Sequence, residues 1–163
     1  TLLSRPERHY HPSVGYYEHI PAWRIRTYVG EDIWQSYFKF SFERNPWDRQ
    51  GSWYHYKTKS KPAAAKPSFE AFNRDRRRAF VENWGLYTQD DRPVLDFVGR
   101  YEALEADFDT VLDRLHLRGK VELPRANVSK GRKGSYRDDY TPASRYLVAA
   151  WYAPEIRHFG YTF

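Results

Sequence analysis

Residues 38–56 read FKFSFERNPWDRQGSWYHY, and this stretch decides the fold that we predict. In residues 38–43 phenylalanine alternates with lysine, serine and glutamate, which is the period of a β-strand with one buried face. Asn45 and Pro46 have the residue types of a helix N-cap and of a first helical position. The stretch therefore predicts a strand that ends at Arg44 and a helix that begins directly after it.

A strand that turns directly into a helix, with an arginine at the corner, is typical of anion-binding sites in α/β proteins. The unpaired N–H groups of the first helical turn and the guanidinium of Arg44 point to one place. Ser52 lies four residues after Asp48, on the same helix face, so its hydroxyl can reach a ligand beside the first turns. The structural alternative is a strand packed on a helix, with Arg44 and Arg49 in surface ion pairs. The residues alone leave both interpretations open.

The segment RNPWDRQGSWY (44–54) resembles the 3′-phosphate-binding motif of the sulfotransferases that use 3′-phosphoadenosine 5′-phosphosulfate (PAPS). In that motif an arginine that ends a strand is followed eight residues later by a serine, and Arg44 and Ser52 occupy these positions. The likeness is strongest to the carbohydrate sulfotransferases and their bacterial relatives. Three further stretches fit the same branch in family order: EHIPAWRIRTYVG (18–30), DFVGRYEALEADF (96–108) and YLVAAWYAPEIRHFGYTF (146–163).

The resemblance implies an α/β protein with the three-layer, P-loop-like sulfotransferase fold and a small, mostly parallel sheet, forming one domain over residues 1–163. It implies PAPS as the co-substrate, no metal, and transfer of a sulfuryl group to a hydroxyl of a carbohydrate acceptor. By the same resemblance, Arg44 and Ser52 hold the 3′-phosphate and Tyr101 contacts the adenine. An aromatic ring at the carboxyl end of a sheet suits contact with a base. Arg100 and Glu102, which flank it, are expected to fix the corner as an ion pair or cap.

Two further parts of the site each have a structural alternative. His19 stands where related sequences place a histidine, and an imidazole suits removal of the acceptor's proton near neutral pH. Otherwise it caps a helix or packs against neighbouring aromatic rings. Lys130, Arg132 and Lys133 lie in the basic segment 123–134, where related sulfotransferases have a loop that closes over the 3′-phosphate. The alternative there is an exposed charged loop.

The start of the chain lacks an expected motif. Sulfotransferases begin their catalytic domain with a strand and a lysine-containing Gly-Thr/Ser loop that binds the 5′-phosphosulfate. Nothing between Thr1 and Gly30 matches this loop, and the sequence contains no Met. Because every later motif is present in order, we expect the first strand and loop to lie upstream, so that the chain is N-terminally truncated. Whether the chain alone is active stays open at this point.

Composition limits the partners without selecting one. The net charge is +6 and the pI is about 9.5, which favours an anionic partner, whether nucleotide, sulfated glycan, nucleic acid or anionic membrane. Cysteine is absent, which excludes disulfides and thiolate metal sites. No apolar run is long enough to span a membrane, so any membrane association is not encoded in these residues. We expect the cytoplasm in a bacterium and the Golgi lumen in a eukaryote, with preference for the cytoplasm.

Two other classes of protein compete with the sulfotransferase interpretation. The basic pI and the many Tyr and Trp residues fit a non-catalytic module that binds nucleic acid or an acidic glycan. Against it, 21 acidic residues are interspersed with the 27 basic ones. A kinase-like P-loop enzyme is disfavoured because the G-x-x-x-x-G-K-[ST] motif is absent. The segment KTKSKPAAAKPS (57–68) is most simply a solvated loop, although an acidic glycan could bind its four lysines.

Periodicity and capping residues predict the remaining elements. The predicted helices run from Pro21 to Gly30, from Phe69 after a Ser68 cap, from Leu104 to Leu115, and from Pro142 after a Thr141 cap; a second strand covers Val94–Val98 after a turn-rich link at 83–92.

Overall fold

The computed structural model describes residues 15–123 and 134–163. It combines helices with a small parallel sheet, which confirms the predicted α/β class. The described residues divide into two compact units, residues 15–41 with 82–98 and residues 42–81 with 99–123 and 134–163. Each unit is described by itself below.

The described elements follow one another in this order: α1 (Ala22–Val29), α2 (Glu31–Ser36), β1 (Phe40–Glu43), α3 (Pro46–Thr58), a 3₁₀ turn (Ala63–Ala65), α4 (Phe69–Arg74), α5 (Arg76–Ala79), α6 (Trp84–Tyr87), β2 (Thr88–Gln89), β3 (Arg92–Pro93), β4 (Phe97–Arg100), a 3₁₀ turn (Tyr101–Ala103), α7 (Leu104–Arg114), a 3₁₀ turn (Tyr136–Asp139), α8 (Pro142–Trp151) and α9 (Ala153–Phe159).

The first unit contains a hairpin that the sequence did not predict. Residues 83–92, expected to be a turn-rich link, form α6 and then the antiparallel pair of β2 and β3. Asp90 and Asp91 at the turn both have positive φ, 51° and 59°, a conformation that Asp tolerates better than most residues and that a two-residue hairpin turn requires. The predicted helix between Pro21 and Gly30 is confirmed as α1.

The helix starts of the second unit confirm the predicted caps. The Asn45 side chain accepts a hydrogen bond from the Trp47 N–H at 3.1 Å, and Pro46 is the first residue of α3. The Ser68 hydroxyl accepts from Ala71 N–H at 3.1 Å, and that of Thr141 from Ser144 N–H at 3.2 Å. Each cap satisfies an N–H group that has no partner within its helix.

Strands β1 and β4 pair in the small sheet, and β4 begins three residues later than predicted. The apolar run 94–98 is divided between two partners. The Val94 N–H donates to the Tyr87 carbonyl at 2.9 Å and so continues the hairpin, whereas the Phe97 N–H donates to the Lys39 carbonyl at 3.2 Å. Hydrophobicity alone does not reveal this division, because both halves are apolar.

The prediction that β1 buries a phenylalanine face is wrong. Phe40 is 39% exposed, whereas Glu43 at the end of the strand is 1% exposed. Phe42 packs against Phe108, with ring centroids 6.5 Å apart, and a Cβ at Gly99 would lie 2.6 Å from the Phe42 ring. The strand therefore buries its carboxyl end, where Glu43 meets a cation.

Candidate functional site

Arg44 lies at the corner between β1 and α3, as predicted. Its Nε donates to Asp48 Oδ2 at 2.7 Å, and its Nη2 lies 2.6 Å from the same oxygen in an ion pair, one helical turn into α3. Its guanidinium carbon lies 4.4 Å from the ring centroid of Tyr101, and its side chain is 25% exposed. The structure thus brings together two of the residues that the sequence assigned to the nucleotide. The sequence left two interpretations of this arginine open, an anion-binding residue and a surface ion pair. A partly exposed ion pair that also stacks on a ring is compatible with both.

Tyr101 opens the 3₁₀ turn after β4, and its side chain is 47% exposed. An arginine stacked on a tyrosine ring gains cation–π energy on the order of 1 kcal/mol at a partly exposed site. One face of the ring therefore holds Arg44 in place, and the exposed part of the ring can meet a ligand.

Ser52 lies on α3, one turn beyond Asp48 on the same face of the helix, and its side chain is half-buried. Asp48 is hydrogen-bonded to Arg44, so this helix face runs from the Arg44 pair towards Ser52. The joint action of Arg44 and Ser52 on a single phosphate stays a prediction.

The corner that follows β4 holds the corner between β1 and α3 in place. Glu102 Oε1 accepts a hydrogen bond from the Asn45 N–H at 2.6 Å, while the Asn45 side chain donates to the Thr162 carbonyl at 2.9 Å. Arg100 donates to the Phe159 carbonyl at 2.5 Å. Glu102 and Arg100 therefore fix the corner, as expected, but within the described residues they do so through other partners and not through each other. Burial, with Glu102 nearby, raises the pKa of Tyr161 far above its ordinary value, so its hydroxyl stays protonated and donates to Glu102 at 3.5 Å.

A cavity of about 340 Å³ opens at these two corners, and we call it the strand-end cavity. Crevices outside the carboxyl ends of parallel strands are where α/β proteins bind ligands. Its lining mixes both charges and tyrosine rings: Asn45, Asp48, Arg100, Glu102, Tyr136, Arg137, Gly160, Tyr161 and Thr162.

Tyr136 and Arg137, which line the strand-end cavity, follow directly after the basic segment of the sequence. Lys130, Arg132 and Lys133 themselves lie outside the described residues. Their predicted part in closing over the phosphate therefore remains a prediction.

Arg49 is buried, which contradicts the interpretation of it as a surface ion pair. It is 9% exposed and binds Glu43, with Glu155 Oε1 at 3.1 Å from its Nη2. Burial lowers the pKa of Arg49, but the two carboxylates outweigh it and hold that pKa above its ordinary value. Burial raises the pKa of Glu155, against the attraction of Arg49. This cluster joins the end of β1, α3 and α9, and so supports the corner from inside.

His19, the predicted general base, belongs to the first unit. Its side chain is 75% exposed, its Nε2 lies 3.9 Å from Glu18 Oε1, and its φ is 57°. Because the imidazole is so exposed, the alternative in which His19 packs against neighbouring aromatic rings is weakened. Its catalytic role remains a prediction.

Sequence reasoning missed a second histidine. In α3, His55 Nε2 lies 2.8 Å from Asp139 Oδ2, in the 3₁₀ turn before α8. A carboxylate that orients an imidazole is a common arrangement around a general base. The two residues are far apart in the sequence and in different motifs, so no spacing rule could have paired them.

No group of three or more side chains in residues 15–123 and 134–163 is arranged to hold a metal ion. In the same ranges, no helix is long and apolar enough to cross a membrane.

The chain as a whole matches a family of known proteins. A model with the description "Sulfotransferase family" matches residues 15–162. An uncharacterized protein of Archaeoglobus fulgidus is 33% identical over 108 residues, an alignment that covers 64% of this chain and 88% of that protein. No solved structure matches the chain.

Proposed function

Because the chain belongs to the sulfotransferase family, we propose that it moves a sulfuryl group from PAPS to a hydroxyl of a carbohydrate. Sulfuryl transfer is the chemistry of the family. PAPS as the donor is supported by the motif of Arg44 and Ser52, and a carbohydrate as the acceptor by the four stretches that resemble the carbohydrate branch.

The contact between Arg44 and Tyr101 carries this proposal. It places a cation and an aromatic ring side by side at the carboxyl ends of the strands, beside the N-terminus of α3. A nucleotide with a ribose phosphate needs a cation and helix N–H groups for the phosphate and a ring for the base. The residues present therefore fit the adenosine 3′,5′-bisphosphate part of PAPS.

Arg44 retains donors for a phosphate although it is paired with Asp48. A guanidinium has five N–H donors, and Asp48 engages only Nε and Nη2. Among the described residues, none accepts a hydrogen bond from Nη1. Arg44 would donate from there to the 3′-phosphate, and the Ser52 hydroxyl would add a neutral donor further along α3. Lys130, Arg132 and Lys133 would supply further positive charge by closing over the same phosphate.

The reaction breaks the sulfur–oxygen bond of the phosphosulfate and forms a sulfur–oxygen bond to the acceptor hydroxyl, leaving adenosine 3′,5′-bisphosphate and a sulfate ester. His19 would accept the proton of that hydroxyl. Its exposed imidazole is accessible to a large acceptor such as a glycan, and general-base catalysis contributes roughly 10² to 10⁴ in rate.

The decisive experiment is a thermal-shift titration with adenosine 3′,5′-bisphosphate, AMP and ATP. The proposal expects selective stabilisation by the bisphosphate, about 2.7 kcal/mol at a ligand concentration of 100 Kd, and its loss in Arg44→Ala. The matched control is Arg145→Ala, because Arg145 also stacks on a ring, that of Phe163, at 4.4 Å. The proposal fails if the three nucleotides stabilise equally or if Arg44→Ala binds like wild type. Stabilisation by any polyanion, with no preference for the bisphosphate, would favour the non-catalytic binding module instead.

A further inference from the structure

A second, larger cavity lies in the second unit, in the segment between Trp53 and Phe80. Its volume is about 810 Å³, within the range of ligand-binding cavities in proteins. We call it the basic cavity. None of the residues that we assign to the nucleotide or to the proton transfer lines it.

The basic cavity has an apolar floor and a cationic rim. Trp53, Phe72 and Phe80 are half-buried and form the floor. The exposed rim carries the positive side chains of Lys57, Lys61, Lys66 and Arg77.

Within the described residues, carboxylates do not neutralise this rim. Asp75 is the single acidic side chain among the residues that line the cavity. In the described part of the chain, no carboxylate lies within ion-pair distance of Lys57, Lys61, Lys66 or Arg77. Four cations without a carboxylate partner among the described residues, held around one concave surface, attract an anion that carries several spaced charges.

The aromatic rings beside the rim already carry cations. The ammonium of Lys57 lies 4.3 Å from the Trp53 ring centroid, and that of Lys59 lies 4.3 Å from the Tyr56 centroid. Trp53 and Tyr56 stack on each other with centroids 5.8 Å apart. One face of each ring is thus covered by a lysine, which leaves less ring surface for the stacking of successive bases that single-stranded nucleic acid requires.

Lys57, the rim cation that α3 carries, lies at the other end of this helix from Arg44. Lys57 and Thr58 are in the last turn of this helix of 13 residues, and a helix of that length spans about 19 Å. We therefore expect an anion at the rim lysines not to displace a phosphate from Arg44.

We propose that the basic cavity binds an acidic oligosaccharide, one whose sugar units carry carboxylate or sulfate groups. This inference rests on the proposed function, because it takes the ligand to be part of the carbohydrate acceptor, held at a distance from the reacting hydroxyl. Lysine ammonium groups are point charges on long flexible stems, so they can pair with anionic groups at irregular positions along an oligosaccharide, and three of the four rim cations are lysines. The apolar floor offers contact to the C–H faces of sugar rings through Phe72 and the neighbouring alanines of the lining rather than through the covered Trp53 ring.

The test is isothermal titration with a size-defined heparin hexasaccharide. The triple variant Lys57→Ala, Lys61→Ala, Lys66→Ala should bind roughly tenfold or more weakly, with a shallower salt dependence, because fewer counterions are released. The matched control is Arg92→Ala, Lys120→Ala, Arg157→Ala, which removes the same charge from exposed positions outside the cavity. Equal affinities of the two triple variants would overturn the proposal.

Two further titrations distinguish a glycan site from a nucleic-acid site and from the nucleotide site. Tighter binding of a single-stranded oligothymidylate than of the hexasaccharide would also overturn the proposal, since it would identify the cavity as a nucleic-acid site. Adenosine 3′,5′-bisphosphate is titrated in parallel and should bind the cavity variant as it binds wild type. If wild type does not bind the bisphosphate but the cavity variant alone loses the hexasaccharide, the proposed PAPS-dependent transfer fails and the glycan site stands.

Discussion

The guanidinium of Arg44 and the ring of Tyr101 stack at 4.4 Å, although they come from two different strand-to-helix corners. Each corner would be incomplete alone, because one supplies the cation and the other supplies the ring. Glu102 holds the two together through the Asn45 N–H.

Replacing Tyr101 with Ala should weaken the binding of adenosine 3′,5′-bisphosphate by about tenfold or more. Stacking of a base on an aromatic ring is worth about 1–3 kcal/mol, and the variant also removes the ring that holds Arg44. Tyr101→Phe keeps the ring and should bind nearly as wild type does. Tyr146→Ala removes another exposed tyrosine and serves as the control. A Tyr101→Ala variant with unchanged affinity in calorimetry would remove this tyrosine from the site.

Replacing Asp48 with Asn should tighten binding of the bisphosphate by roughly fivefold. The Asp48 carboxylate shares Arg44 with the ligand and repels a nearby phosphate, and removing a like charge at this range gains on the order of 1 kcal/mol. Asp109→Asn, at an exposed position on α7, is the matched control. Weaker binding by the Asp48 variant, measured by titration at low salt, would show that Asp48 orients Arg44 more than it opposes the phosphate.

Replacing Arg49 with Met should destabilise the protein by about 3–5 kcal/mol, because Glu43 and Glu155 would remain buried without their cation. Urea unfolding measures this free energy. The matched control is Arg157→Met, which removes an exposed arginine from α9. A loss no larger than that of the control would mean that the cluster carries little of the stability.

The free energy of unfolding at acidic pH should depend on the protonation of Glu155. Burial raises the pKa of this carboxyl above its ordinary value near 4.5, so the folded state binds the proton more tightly than the unfolded state does. The stabilising contribution is fully present below the unfolded pKa and is lost as the pH rises through the folded pKa. Wild type should therefore gain stability relative to Glu155→Gln as the pH falls from 7 towards 5. A pH-independent difference between the two unfolding curves would contradict this.

Replacing His19 with Ala should lower kcat for sulfuryl transfer by roughly 10² to 10⁴, the range of general-base catalysis, and leave the affinity for the bisphosphate unchanged. His55→Ala is the comparison variant, since it removes the other candidate base, an imidazole paired with Asp139 at 2.8 Å. Steady-state rates with PAPS and a glycan acceptor provide the comparison. A larger loss in His55→Ala than in His19→Ala would transfer the role of base to His55.

Local features of the sequence were predicted well because they depend on interactions within a few residues. The N-caps at Asn45, Ser68 and Thr141 each bond an N–H two or three residues ahead, so residue type and spacing suffice to identify them. The corner with Arg44 at the end of a strand follows from the same local pattern. The hairpin at 88–93 was missed because its strands are too short to show a period.

The sequence by itself therefore determined where the capped helices α3, α4 and α8 begin, the α/β class and the position of Arg44 at a strand end. For the helix starts and the corner, hydrogen bonds between near neighbours are decisive. Only the tertiary structure decided which residues meet: Tyr101 with Arg44, Glu102 with Asn45, Arg49 with Glu43 and Glu155. It also reversed the expected burial of β1, because a carboxylate can be buried where a distant segment supplies its cation. Pairings between distant segments have no period or spacing in the sequence, and they arise only when the chain packs and buried charges must find partners.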